Sequence, residues 1–230
     1  MIKFGCELLE DKLIFETGDI KVLEINNRKL FGELLYKLNK SINTDEILEG
    51  IILLEDDKEI SFKKDAMIIY DFYNFDINQT KIIKSLYEEI SKEYKFIYDD
   101  SMILSLQKEL LGSIREVLVE YDYEFSQKEI LDIKDIFKIM DVKFDINFYD
   151  KPLDVILFIF DMIENFKICK LLILVNAKCY FNSNELEEIY KMARYKGIRL
   201  MLVEYYNSPD KINGESKIHI DEDYDEFYID

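Results

Sequence analysis

The sequence predicts an α/β protein in which a mostly parallel sheet is interrupted by an inserted α-helical lobe. Two observations carry that fold class. Lys170-Leu171-Leu172-Ile173-Leu174-Val175-Asn176 and Arg199-Leu200-Met201-Leu202-Val203-Glu204 are nearly all-apolar runs with a helical pattern between them. That is the pattern of strands covered on both faces of a parallel sheet. From about residue 78 to residue 142, in contrast, apolar residues recur at helical spacing.

In chain order, residues 19–25 largely alternate polar and apolar side chains, as a half-buried strand does, and residues 28–38 carry Leu30, Leu34, Leu35 and Leu38 on one helical face. Further strands are expected at 50–54, 59–62 and 66–70. Three apolar stripes follow: Ile83, Leu86, Ile90 and Tyr94; Ile103, Leu106, Leu110, Ile114 and Leu118; and Ile130, Ile133, Phe137 and Met140. Ser126 and Glu129 have the spacing of a capping box opening the third helix. Asp150 and Pro152 open a helix to Phe166, since proline lacks only an amide that the first turn leaves unpaired. Asn182 and Glu185 repeat the cap logic, Gly197 supplies the left-handed helix end, and residues 170–204 form a βαβ unit. The expected division is an α/β domain of residues 1–72 and 143–230, with a helical domain of 73–142 inserted.

Composition bounds the function. In 230 residues, 48 Asp and Glu face 30 Lys and Arg, a formal net charge of −18, so a nonspecific polyanion binder with an open basic face is disfavoured. The amino-terminal residues Met1 to Glu7 reach acid before a long apolar run, unlike a signal peptide, and no stretch reaches the ~18 apolar residues of a membrane span. Cys6, Cys169 and Cys179 are odd in number and show no C-x-x-C spacing, as expected of reduced thiols in a cytoplasmic protein.

Nucleotide hydrolysis is the first chemistry to weigh, because buried parallel strands end in Asn176 and Glu204. The Gly-x-x-x-x-Gly-Lys-Ser/Thr cradle it requires is absent from the seven glycines, and Glu204 reads as an ordinary strand-end carboxylate. His219, the one histidine, falls in an alternating stretch and reads as a surface or edge-strand residue; Cys169 and Cys179 read as small core residues. Carboxylates are the abundant functional groups. Glu116, Glu120, Asp122, Glu124 and Glu129 cluster at a bend between helices, where alternate oxygens suit a hard cation such as calcium or simply face water. The run 221–226 reads as a mobile acidic tail. Lys128, Lys134, Lys138 and Lys143 recur on the third helix and its exit, and Lys58, Lys63 and Lys64 in a turn. Either set forms a solvated face or a local patch for phosphates.

Several strings in this order resemble one family. They are Lys21-Val22-Leu23-Glu24, Phe75-Asp76-Ile77-Asn78, Asp141-Val142-Lys143-Phe144-Asp145, the run 170–176, and Ile220-Asp221-Glu222-Asp223-Tyr224. Together they resemble the accessory spacer-acquisition protein of type II-A CRISPR systems, a small ring-forming binder of double-stranded DNA ends. The resemblance implies an α/β head like a P-loop NTPase core without its phosphate loop, and an α-helical leg. It implies a non-enzymatic homotetramer whose lysine-lined channel passes linear duplex DNA, and a CRISPR integrase complex and effector nuclease as partners. It also implies calcium bound by acidic residues near the junction of head and leg. On this sequence the matching stretch is Asp122-Tyr123-Glu124, with Glu120 beside it and Asp135 following; Lys138 and Lys143 fall where relatives carry lysine. The alternative is a nucleotide-dependent ATPase or nuclease built on a degenerate core of the same layout.

Overall fold

The computed structural model describes residues 1–44, 46, 48–98, 101–126, 130–145, 151–205 and 212–229. The chain divides into two compact units: Met1–Ile77 with Ile146–Asp230, and Asn78–Asp145.

The first unit is α/β and holds two sheets. Strands β1 (Ile2–Cys6), β2 (Leu13–Phe15), β4 (Ile51–Glu55) and β5 (Lys58–Glu59) form an antiparallel sheet in the order β2-β1-β4-β5. The larger sheet has the order β10-β9-β3-β8-β7-β6, built from β3 (Ile20–Ile25), β6 (Ala66–Ile69), β7 (Leu171–Val175), β8 (Leu200–Glu204), β9 (Ser216–Ile220) and β10 (Glu226–Ile229). All its pairings are parallel except β9 with β10. Helices α1 (Arg28–Asn43), α2 (Phe62–Asp65), α6 (Pro152–Phe166) and α7 (Ser183–Tyr195) connect the strands.

The sequence explains these elements locally. β7 and β8 are buried at every position, which is why they lack polar alternation. Proline opens α6, whose C-cap Lys167 is left-handed, and Gly197 at φ 66° ends α7. The Asn182 side chain accepts the Glu185 amide while Glu185 accepts the Asn182 amide, closing the predicted capping box. One apolar core runs between α1 and both sheets, through Leu34, Leu38, Phe4, Phe15, Leu53, Ile173 and Met201, with Phe4 meeting Phe62 edge to face.

The second unit contains α3 (Thr80–Ile97), α4 (Ser101–Leu118) and α5 (Ile133–Ile139). The Tyr87 hydroxyl, on α3, donates to the Val142 carbonyl at 2.9 Å, the buried Gln107 of α4 accepts the Leu131 amide, and the Asn78 amide side chain bonds both backbone groups of Phe144.

Four expectations are corrected. The stretch 59–62 is a strand only to Glu59, because Ser61 caps α2 and turns Phe62 into the core. The third helix does not start at Ser126. Asp132 and Asp135 form its capping box instead, and Gln127 to Glu129 lie outside the described residues. The apolar stripe of α4 is not buried along its length: Ile103 and Gln107 are buried, while Leu106, Leu110 and Ile114 are exposed. The run 221–226 is not a free tail: Asp221 accepts the amides of Asp223 and Asp225 in a turn that leads into β10.

Candidate functional site

The helical unit carries most of the residues singled out as binding groups. Lys134 and Lys138 stand on α5 and Lys143 follows it; Lys128 lies outside the described residues. Each described lysine has a carboxylate beside it. Lys134 Nζ is 2.5 Å from Glu88 on α3, Lys143 Nζ 2.5 Å from Asp141, and Lys138 Nζ 3.8 Å from Asp135. Such partly exposed pairs are worth ~1 kcal/mol or less, so a phosphate can displace the carboxylate at little cost.

The acidic bend lies beyond α4. Glu120, Asp122 and Glu124 are all exposed, with Tyr121, Tyr123 and Phe125 interleaved and in edge contact. Asp135 Oδ2 is engaged at 3.0 Å by the Asp132 amide in the α5 capping box. Among the described residues no group of three or more His, Cys, Asp or Glu side chains stands close enough together to hold a metal ion. The carboxylates Glu120, Asp122, Glu124 and Asp135 are thus not gathered around one point among the described residues.

In the α/β unit, the turn between β3 and α1 is where a phosphate-binding loop would open a helix. It is only Asn26 and Asn27. The Asn27 side chain accepts the amides of Lys29 and Leu30 at 3.0 and 3.2 Å, so donors that would cradle a phosphate are taken by the protein's own cap.

Beneath α7 lies a polar cluster that sequence reasoning did not assemble. Glu24 of β3 meets Lys217 of β9 at 2.7 Å, and Lys178, in the 3-10 turn after β7, at 3.4 Å. Lys178 also meets Glu215 at 2.9 Å, and the buried Tyr190 hydroxyl of α7 donates to Glu215 at 2.7 Å. Glu204, at the end of β8, accepts the Lys178 amide at 3.3 Å. Burial, only partly opposed by that hydrogen bond and by the Lys178 charge, raises Glu204 to about 8. His219 is not at the surface: it is buried on β9, with Nδ1 3.8 Å from Glu24 and without a hydrogen-bond partner among the described residues. Cys179, by contrast, is exposed rather than in the core. The one available signal for this cluster was a lysine and a histidine alternating in 217–220, which reads equally as an exposed edge.

Residues 43–224 match the CRISPR-associated protein family Cas_Csn2. The chain belongs to the Csn2 family. A CRISPR-associated protein Csn2 of Streptococcus agalactiae is 23% identical over 235 residues, spanning 97% of this chain and 96% of its own length. The crystal structure of Stu0660 of Streptococcus thermophilus shares the fold, with a TM-score of 0.57 at 11% identity over 99% of this chain and 76% of that one. The family named from five short strings is therefore the right one. No helix among the described residues is long and apolar enough to cross a membrane.

Proposed function

We propose that this Csn2-family chain is a non-enzymatic binder of linear double-stranded DNA ends that serves CRISPR adaptation as a homotetrameric ring in the cytoplasm, alongside an integrase complex and effector nuclease. The observation that carries this reading is family membership across 43–224. Two features of the chain support it. Its β3–α1 turn is too short, and its first amides too fully capped, for the nucleotide cradle that the ATPase alternative needs. Lys134, Lys138 and Lys143 offer cations in loosely held pairs to a phosphate backbone, a surface that reads charge rather than base sequence. Calcium is proposed as the ion of the Glu120–Glu124 bend. Because the described carboxylates stand apart, no step of the function is routed through it.

The test is a gel-shift at low salt, with calcium or with chelator, on linear and covalently closed circular duplexes of one sequence. Linear DNA should bind alone. Affinity should fall steeply with salt, and a Lys134→Ala, Lys138→Ala, Lys143→Ala variant should lose slope as well as affinity, since each phosphate contact contributes roughly 0.9 to the log–log slope. Equal binding of both forms, or of neither, would sink the proposal.

A further inference from the structure

The cluster beneath α7 holds three carboxylates, Glu24, Glu204 and Glu215, against two ammonium groups, Lys178 and Lys217. With Glu204 neutral the charges balance at −2 and +2. With Glu204 ionised they stand at −3 and +2, in a region shut off from water. The surplus falls beside Lys178, which also anchors Glu215 at 2.9 Å. Glu215 immediately precedes β9, and with the Tyr190 hydroxyl it fastens the start of the β9–β10 hairpin to α7 and to the turn after β7.

We propose that Glu204 is a proton-operated latch on the carboxy-terminal hairpin: protonated, it leaves Lys178 on Glu215 with β9–β10 docked, and ionised, it draws Lys178 away and loosens the hairpin. The groups acting on Glu204 are Glu24 of β3, Lys178 and Cys179 of the turn after β7, and Tyr190 of α7; behind them, Lys217 and His219 of β9 face Glu24, and Glu215 before β9 is held by Lys178 and Tyr190. Burial and Glu215 push Tyr190 far up, so it stays a donor throughout; burial, then Glu204, raises the Cys179 thiol. Glu204 holds its proton more tightly folded than unfolded. Its stabilising contribution is therefore complete below the ordinary value of 4.5 and is lost as pH rises through about 8.

Hydrogen exchange on the full chain, corrected for intrinsic rate, tests the latch by comparing β9 amides with those of β7 between about pH 7 and about pH 9. Protection of β9 should fall roughly tenfold relative to β7 with a midpoint near the Glu204 titration, and Glu204→Gln should keep it level. A variant that declines like the wild type, or β9 tracking β7 throughout, would overturn the proposal. Should Glu204→Gln not fold, infrared spectroscopy of the wild type decides: a protonated-carboxyl band must be present near neutral pH and vanish together with β9 protection. A missing band, or two separate midpoints, would also overturn it.

Discussion

Lys217 is almost wholly inaccessible, and so is Glu24, at 1% and 0% of side-chain area. A buried pair contributes little beyond an apolar pair of similar shape, yet losing one partner strands the other charge, at roughly 3–5 kcal/mol. Lys217→Met should therefore lower unfolding free energy by about that amount, read from the urea midpoint at constant slope. Lys178 stays on the other oxygen of Glu24 at 3.4 Å, but it is shared with Glu215 at 2.9 Å and does not reach the oxygen that Lys217 leaves. Adding Glu24→Gln should recover most of the loss, because the stranded charge is then gone. A single variant within about 1 kcal/mol of wild type would show that Glu24 is not held as an ion. The same pair explains why β9 sits where it does: Glu24 lies opposite His219 in the parallel register, so a slip of one residue would turn Lys217 and His219 away from the only buried acid on β3.

Among the elements, α5 depends most on its cap. Its seven residues are too few to form a stable helix alone. Asp132 accepts the Lys134 amide at 3.1 Å, its own amide bonds Asp135, and Lys95 reaches its carboxylate at 3.1 Å. The Lys134 amide, more than Lys95, holds the Asp132 carboxyl below the usual range. Asp132→Ala should cost about 1 kcal/mol and lower exchange protection across 133–139, while Asp132→Asn keeps the cap and loses only the weak Lys95 pair. Equal loss in both variants would assign the effect to the ion pair instead. This cap also marks the limit of what the sequence disclosed. β3, β4, β6, β7, β8, α6 and α7 were legible because their burial follows a single period or ends in residues with one conformational use, such as Pro152 and Gly197. The acids of the helical unit were not, since Ser126–Glu129 and Asp132–Asp135 satisfy the same capping pattern, and what accompanies the second, the burial of Ile133, is not visible in the spacing. The polar cluster stayed hidden because its members come from β3, β8, β9, α7 and two connecting segments, a juxtaposition that no local pattern encodes.

For the whole molecule, the conflict is between a net charge of −18 and the polyanionic partner proposed for it. The proposed ring would resolve it by confining cations to an inner wall, and such a ring would need a face for its neighbour. The apolar residues of α4 are the face to test for that role: Leu106, Leu110, Ile114 and Val117 are 47 to 60% exposed on a helix that buries only Ile103 and Gln107. These residues recur at helical spacing, so they form a continuous apolar stripe rather than scattered surface residues, the kind of patch that marks an interaction site. A Leu110→Lys, Ile114→Lys double variant places two charges on that stripe while replacing no buried residue. Its monomer should unfold within about 0.5 kcal/mol of wild type, as surface substitutions do. Its mass by light scattering should drop below the proposed tetramer, and retention on linear DNA should fall with it. An unchanged mass would move the subunit contact to another surface. A smaller species that still binds linear DNA and ignores circles would separate end recognition from encirclement.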